Sequence, residues 1–185
     1  MTYYERSLPH WHPEGKSLFI TWRLFGSLPA NLVGKLPTTS VSMSGRRFRI
    51  IDEELDRGRC GPLWLKDERV ADSVVHAIRH GETELGFYEL HAFVVMANHV
   101  HLLITPRVTV ARIMNGLKGV TSRDANVILG RIGMRFWQEE SFDHWVRNAA
   151  QFERVRNYVE GNPVLAGLVK SAKEWRWSSG FRTNV

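Results

Sequence analysis

The chain has 185 residues and one cysteine, Cys60, which excludes an internal disulfide and a zinc site built from several cysteines. Hydrophobic residues make up 43% of the sequence, enough for one domain with a sizeable core. The formal net charge of +6 favours an acidic partner, and nucleic acid is the class of partner that suits a soluble basic chain.

The domain plan and the cellular setting follow from the same composition. We expect a single domain over residues 1–185, with a core at about 17–165, an insertion at 30–62 and a tail at 166–185. No apolar run approaches the length of a transmembrane helix, and the first residues lack the apolar region of a signal peptide. We therefore expect no membrane partner and a reducing, cytoplasmic location.

The first elements in chain order are an arm and a strand. Residues 1–15 are rich in histidine, proline and aromatic residues, and they are predicted to form an irregular arm. Residues 17–25 are rich in β-branched and aromatic side chains, which predicts the first strand of the core. Arg23, a cation within that strand, is a candidate contact for DNA phosphate.

Residues 30–62 are the least regular part of the sequence. Phe48, Ile51 and Leu55 are spaced as one face of a helix, which predicts a short helix inserted in a loop. Arg46 and Arg47 lie at its start, where they are either phosphate contacts or part of a solvated helix face.

Asp67 is a predicted N-cap for the next helix. That helix extends to about residue 80, with Gly81 as its expected end.

Two apolar runs in the middle of the chain predict a β-hairpin. Residues 87–96 and 99–105 form the two strands, and a tight turn lies between them. Because side chains alternate along a strand, His99 and His101 point to the same face. Imidazoles in an apolar setting need partners: a metal ion takes both at once, and hydrogen bonds or solvent are the alternative.

The second half of the chain predicts a basic helix and a last strand. Thr109 is the expected N-cap of a helix over residues 110–129. This helix has a basic side suited to nucleic acid, formed by Arg112, Lys118 and Arg123. A fourth strand is expected within residues 136–146, and Asn148 is the expected N-cap of a last helix over residues 149–160.

The order of these elements predicts the fold class. Strand, helix, strand, strand, helix, strand and a trailing helix is the order that a ferredoxin-like split βαβ sandwich requires. We therefore expect an α+β domain with an antiparallel sheet and helices on one face, together with the N-terminal arm, the inserted helix and the tail.

Tyr158 and Asn162 are a candidate pair near the end of the last helix. They lie four residues apart and therefore share a helix face. Because a residue before proline is disfavoured in helical geometry, Pro163 predicts that Asn162 lies at the helix end with its carboxamide freely presented. Spacing alone favours the structural interpretation, in which Tyr158 is a core tyrosine and Asn162 is a helix cap.

Several strings of the sequence resemble one family. Val-Val-Met-Ala-Asn-His-Val-His-Leu-Leu-Ile at residues 94–104 resembles the His-hydrophobe-His motif of HUH endonucleases, in the form typical of REP-associated tyrosine transposases. Further similar strings, in the order of that family, are at residues 8–15, 20–29, 136–147 and 158–169. The resemblance covers most of the chain. It departs from the family at Ala97, where proline is usual, and at Gly161, where asparagine is common.

The resemblance implies a ferredoxin-like fold and a specific chemistry. It implies that Tyr158 is the nucleophile and that Asn162 is a metal ligand beside His99 and His101. An open site with imidazole and amide ligands and no thiolate suits Mg²⁺ or Mn²⁺ rather than zinc. Attack by the phenol on DNA phosphorus leaves a 5′-phosphotyrosine and a free 3′-hydroxyl.

The implied function is a metal-dependent single-strand DNA endonuclease and strand transferase that acts on hairpin or repeat DNA as a monomer or a homodimer. One alternative is a domesticated protein that binds hairpin repeats without cutting them. Another is a histidine-based RNA phosphodiesterase, but such enzymes normally need two His-x-Thr/Ser motifs, and this sequence contains none.

Overall fold

The computed structural model describes residues 2–5, 9–12, 15–29 and 41–183. In chain order these residues contain β1 (Thr2–Glu5), β2 (Pro9–His12), β3 (Leu18–Arg23), α1 (Val41–Arg57), α2 (Glu68–Thr83), β4 (Tyr88–Val95), β5 (His99–Pro106), α3 (Val110–Ile128), β6 (Phe142–Trp145) and α4 (Ala149–Leu165). Short 3-10 helices lie at Trp64–Lys66 and Ala172–Glu174. Part of the predicted insertion, residues 30–40, lies outside the described residues.

Four strands form one antiparallel sheet in the order β4-β5-β3-β6. The connections β3-α2-β4 and β5-α3-β6 are the two units of a split βαβ fold. The predicted fold class is therefore confirmed. Strand β5, which carries the histidine pair, lies in the interior of the sheet between β4 and β3.

The N-terminal arm differs from the expectation. Strands β1 and β2 pair antiparallel as a separate two-stranded sheet, so this segment is not irregular. The arm contains proline, which is uncommon inside strands, but Pro9 occupies the first position of β2, where a strand tolerates it.

Both faces of the sheet are covered. Helices α2 and α3, which belong to the βαβ units, pack on one face as expected, against Ile20, Leu102 and Ile104. Helices α1 and α4 contribute to a second apolar cluster with Phe19 and Leu103 on the opposite face. Because β5 alternates, His99 and His101 share the α1 and α4 face.

The predicted N-caps are confirmed. The side chains of Asp67, Thr109 and Asn148 accept hydrogen bonds from the backbone N–H groups of Arg69, Arg112 and Gln151, respectively. These contacts satisfy donors that the first turn of each helix leaves without an intrahelical acceptor.

The predicted end of α2 at Gly81 is wrong. Gly81 lies within the helix, which continues to Thr83. A Cβ atom at position 81 would lie 2.3 Å from the hydroxyl oxygen of Tyr88, and that hydroxyl donates to the carbonyl of Ile78 at 2.6 Å. The glycine is therefore explained by the close approach of a tyrosine ring and not by a helix end.

Helices α1 and α4 are longer than predicted. The inserted helix α1 has 17 residues, and α4 continues through Pro163 to Leu165. Proline removes one N–H donor, but the hydrogen bonds beyond it still form, because the Asn162 and Pro163 carbonyls accept from Ala166 and Leu168, each at 2.9 Å. The expectation that Asn162 lies at the helix end is therefore wrong.

The tail lies against the edge of the sheet. The backbone N–H of Val95 donates to the carbonyl of Trp177 at 2.9 Å, and Trp175 Nε1 donates to the carbonyl of Val95 at 3.0 Å. These contacts cover part of the outer edge of β4. Within the described ranges, no helix has both the length and the apolar character that crossing a bilayer requires.

Candidate active site

The two histidines at the start of β5 converge on one point. His99 and His101 are fully buried, and their Nε2 atoms lie 3.1 Å apart. The second nitrogen of each ring is held: His99 Nδ1 lies 2.7 Å from Asn98 Oδ1, and His101 Nδ1 lies 2.7 Å from Thr21 Oγ1. Because a carboxamide oxygen only accepts, His99 Nδ1 carries the proton and its Nε2 presents a lone pair.

A carboxylate that the sequence analysis did not identify completes this cluster. Asp52 on α1 is buried, and its Oδ1 lies 3.3 Å from His101 Nε2 and 3.8 Å from His99 Nε2. One ligand atom from each of Asp52, His99 and His101 lies within 4.8 Å of the others. Asp56, one turn further along α1, places its Oδ1 3.7 Å from His99 Nε2.

One signal in the sequence points to Asp52. It lies four residues after Phe48 and three before Leu55, so it falls in the middle of the apolar face that predicted the inserted helix. A carboxylate on a buried helix face needs a partner. The partner here lies on β5, far along the chain, so the spacing within α1 alone did not reveal it.

Contacts of Leu55 and Phe48 hold helix α1 over the histidines. Asn98 Nδ2 donates to the Leu55 carbonyl at 3.0 Å, which links the hairpin turn to α1. The Phe48 ring stacks on Phe142 at a centroid distance of 4.5 Å and lies 6.2 Å from the His101 ring. The inserted helix is therefore a wall of the cluster.

Burial controls the protonation of the cluster. Burial, with a smaller contribution from Asp56 and Glu53, raises the pKa of Asp52 to about 8. Burial also raises the pKa of Asp56 to about 6, and it lowers the pKa of His99 to about 3. The pKa of His101 is lowered by burial and by the neighbouring His99. The site therefore disfavours each charged form that lacks a partner.

The polar atoms of this cluster fit a cation. Asp52 Oδ1 and Asp56 Oδ1 are buried and have no hydrogen-bond partner among the described residues. When His101 Nδ1 donates to Thr21 and Asp52 is ionised, lone pairs of Asp52, His99 and His101 all face one another, which is unfavourable without a proton or a cation between them. Two imidazoles and a carboxylate form a set of ligands suited to a divalent metal ion.

Tyr158 lies against this cluster. Its hydroxyl donates a hydrogen bond to Asp52 Oδ2, and its ring centroid lies 5.7 Å from that of His101. The ring is held edge-on by Phe19 and Phe48, at centroid distances of 6.1 and 6.3 Å. The structure thus brings the predicted tyrosine together with the predicted histidine pair.

Asn162 lies one turn after Tyr158 on α4 and is fully buried. Its Oδ1 and Nδ2 atoms have no hydrogen-bond partner among the described residues, so its carboxamide joins neither the histidines nor Asp52 in this arrangement. Each unsatisfied buried polar group costs about 1–3 kcal/mol. An unsatisfied carboxamide is uncommon in a protein interior, and Asn162 lies on the α4 turn that follows Tyr158.

Arg23 is the predicted DNA contact that lies beside the cluster. It is paired with His99 in the β3–β5 register, so its side chain starts on the same face of the sheet. The guanidinium lies 3.3 Å from Ser27 Oγ and 3.4 Å from the Leu24 carbonyl, and donates to both. Burial lowers the pKa of Arg23 to about 10, which still leaves it charged at neutral pH.

The other predicted DNA contacts are spread over two helices. Arg46 is exposed and Arg47 is half-buried on α1. On α3, Arg112 lies over the Phe87 ring at 4.7 Å, and Lys118 Nζ donates to the carbonyls of Gln138 and Glu139 at 3.1 and 2.9 Å. Arg123 is exposed on the same helix. The α3 cations belong to the side of the sheet opposite the histidines.

The sequence of this chain is similar to those of known proteins. Residues 64–162 match the family model described as Transposase IS200 like. The REP-associated tyrosine transposase of Escherichia coli (strain K12) is 26% identical over 99 residues, which are 51% of this chain and 56% of that protein. The match therefore spans about half the length of each protein.

A solved structure extends the comparison to the fold. The structure of a REP-associated tyrosine transposase bound to a REP hairpin matches with a TM-score of 0.58 and 17% identity, covering 97% of this chain and 82% of that one. At this identity the likeness is one of fold alone.

Proposed function

Because this chain belongs to the IS200-like transposase family, we propose that it cleaves and rejoins single-stranded DNA, with Tyr158 as nucleophile and a divalent cation held by His99 and His101. The observation that carries this proposal is the hydrogen bond from the Tyr158 hydroxyl to Asp52. Through that contact the phenol meets the metal-ligand cluster, as a single-tyrosine mechanism requires.

The proposed ligands are His99 Nε2, His101 Nε2 and the Asp52 carboxylate, one atom of each of which lies within 4.8 Å of the others. A bound divalent cation would supply Lewis-acid polarisation of the scissile phosphate and stabilise the leaving oxygen. We favour Mn²⁺ over Mg²⁺, because two of the three ligands are imidazoles. Asn162 remains a proposed additional ligand, since its buried carboxamide lacks a partner among the described residues.

Tyr158 performs the covalent step. Its hydroxyl oxygen attacks the phosphorus and the bond from phosphorus to the 3′ oxygen breaks; the phenol releases its proton to solvent and the departing 3′ oxygen takes one up, so no proton is gained or lost overall. The products are a 5′-phosphotyrosine at Tyr158 and a free 3′-hydroxyl on the released strand. Rejoining is the reverse reaction and needs no ATP, because the phosphodiester energy is retained in the phosphotyrosine.

Asp52 also determines access. Its carboxylate lies between the phenol and His101, where a scissile phosphate has to enter. The histidines below it are fully buried under α1. Asp52 would hold the cation together with the histidines, and loss of its hydrogen bond to Tyr158 would leave the phenol free to contact the phosphate.

The test is a covalent-adduct assay on hairpin DNA with single-stranded flanks, in Mn²⁺, analysed on a denaturing gel. We expect an adduct that is lost in Tyr158→Phe and in the presence of chelator. Tyr88→Phe is the matched control, because Tyr88 is a buried tyrosine that hydrogen-bonds within the core on the other face. An adduct that persists in Tyr158→Phe would contradict the assignment.

A second candidate is a hairpin-binding protein that does not cut. Two observations favour this candidate: the Tyr158 hydroxyl is hydrogen-bonded to Asp52, and the histidines are buried. This candidate predicts that no adduct forms with any divalent metal and that hairpin affinity is the same in His99→Ala as in the unmodified protein. The same gel, together with a filter-binding measurement, distinguishes the two functions.

A further inference from the structure

A groove of about 710 Å³ lies on the side of the molecule where α3 packs. Its walls are α3 and the loop that precedes β6. The residues that matter here are Arg123 on α3 and Ile132, Met134 and Arg135 on the loop. None of them belongs to the histidine cluster.

The loop holds an apolar side chain out into solvent. Gly130 and Gly133 adopt positive φ values of 65° and 81°, a conformation that favours glycine, and they fix the turn on either side of Ile132. Ile132 is 80% exposed and Met134 is 58% exposed. Single exposed apolar residues are common, but two on one glycine-bounded turn form a projection that can pack against a ligand.

The groove is also positively charged. Arg123 is exposed and has no hydrogen bond or ion pair with another described residue. Arg135 lies over the Phe25 ring at 4.8 Å, and its ion pair with Glu139 is long, at 3.9 Å, and exposed. Lys118 adds a third cation, against the single acidic side chain of Glu139 that lines the groove. Cations beside exposed apolar side chains suit nucleic acid, which offers both phosphates and base faces.

One wall of the groove is hydrogen-bonded to β3, the strand that pairs with the histidine strand β5. The N–H of Gln138, a lining residue, donates to the Arg23 carbonyl at 2.9 Å, and Arg23 is the register partner of His99 on β5. Neighbouring strands are about 4.8 Å apart, so the backbone of the groove wall lies roughly 10 Å from that of His99. The groove and the histidines lie on opposite faces but at the same end of the sheet, a separation that a few nucleotides of single-stranded DNA can span.

We propose that the groove binds unpaired nucleotides that flank the cleaved bond, with Arg123 and Arg135 on phosphates and Ile132 and Met134 against bases. The inference rests on the proposed function, because that function supplies the single strand. It adds a binding surface on the α3 side of the sheet, away from the catalytic cluster.

The experiment measures binding alone, in the full chain carrying Tyr158→Phe. One probe is a DNA hairpin with a fluorescent single-stranded flank of about 8 nucleotides, and the other is the same hairpin without a flank. The groove variants are Arg123→Glu and Ile132→Asp. Their matched controls are Arg107→Glu and Leu85→Asp, because Arg107 and Leu85 are exposed at the end of the sheet opposite His99.

We expect each groove variant to bind the flanked hairpin about tenfold more weakly, with the blunt hairpin and both controls within about twofold of the parent. Arg123→Glu should also reduce the salt dependence of binding by about one released counterion. Unchanged affinity for the flanked probe, or an equal loss on both probes, would overturn the proposal. If a variant unfolds, the milder substitutions Arg123→Gln and Ile132→Ala replace it, and we expect each to bind the flanked hairpin about threefold more weakly.

The outcome is separate from that of the covalent-adduct assay. If the groove variants weaken flank binding and no adduct forms in the Tyr158 protein, the groove stands and the nuclease function fails. If the adduct forms and the groove variants bind normally, the nuclease function stands and the groove proposal fails.

Discussion

The hydroxyl of Tyr158 donates to the carboxylate of Asp52, although 106 positions separate the two residues in the chain. The contact joins the trailing helix α4 to the inserted helix α1 directly above the buried histidine pair. A helix outside the two βαβ units thus supplies a carboxylate to the candidate site, so the proposed set of metal ligands includes a residue of α1.

The first prediction concerns the carboxylate as a metal ligand. Asp52→Asn retains the size of the side chain and removes its negative charge, so we expect the affinity for Mn²⁺ to fall by at least about tenfold. Isothermal titration calorimetry on the DNA-free protein measures this directly. Asp124→Asn is the control, because Asp124 is an exposed carboxylate on α3. Equal affinities in both variants would remove Asp52 from the ligand set.

The second prediction is a loss of stability with rising pH in the metal-free protein. The pKa of Asp52 is raised from 3.8 to about 8, so the folded state retains a proton that the unfolded chain has already lost. Stability from this group therefore falls as pH rises toward 8. The histidines, whose pKa values are lowered from 6.5, act in the opposite direction, and their effect is nearly complete by about pH 7.5.

Between pH 7.5 and 8.5 the Asp52 effect is thus separated from that of the histidines. Urea unfolding with chelator present should show a lower free energy of unfolding at pH 8.5 than at pH 7.5. In Asp52→Asn this difference should shrink. A difference of the same size in Asp52→Asn would mean that another group causes it.

The third prediction uses two helix glycines with opposite surroundings. Gly81→Ala places a Cβ atom 2.3 Å from the Tyr88 hydroxyl oxygen, so we expect a loss of about 1–3 kcal/mol in the free energy of unfolding. Gly116→Ala has nothing within 4 Å of the added atom, and we expect a gain of about 0.5–1 kcal/mol from helix propensity. Urea unfolding compares the two. A higher free energy of unfolding in both variants would show that the Tyr88 ring moves aside at no measurable cost.

The histidine pair and the order of helices and strands along the chain were predictable because they depend on short-range patterns. Alternation along β5 puts His99 and His101 on one face in any sheet, and the caps at Asp67, Thr109 and Asn148 act within one helical turn. Family resemblance added the roles of Tyr158 and Asn162, which spacing alone left open. These roles remain predictions.

The rest depends on contacts between distant segments. Asp52 is one acidic residue among several in α1, and only the fold shows that it lies over β5. A glycine at position 81 is typical of a helix end, and only the structure shows that the Tyr88 ring packs against it. At Pro163, the preference of the preceding residue is weaker than the packing of α4 on β4 and β5, so the helix continues.

The last prediction separates a structural from a functional role for Asn162. Its two side-chain polar atoms are buried without a partner among the described residues, so Asn162→Leu removes an unsatisfied group of similar size. We expect the metal-free variant to be as stable as the parent or more stable by about 1 kcal/mol, as urea unfolding would show. The same variant should bind Mn²⁺ more weakly, and it should form the covalent DNA adduct at least about tenfold more slowly.

Asn126→Leu is the matched control for Asn162→Leu. Asn126 is also buried but donates to the Met134 carbonyl at 2.7 Å, so its replacement should lower stability instead. A loss of stability in Asn162→Leu with normal Mn²⁺ affinity and a normal adduct rate would make Asn162 a structural residue of α4.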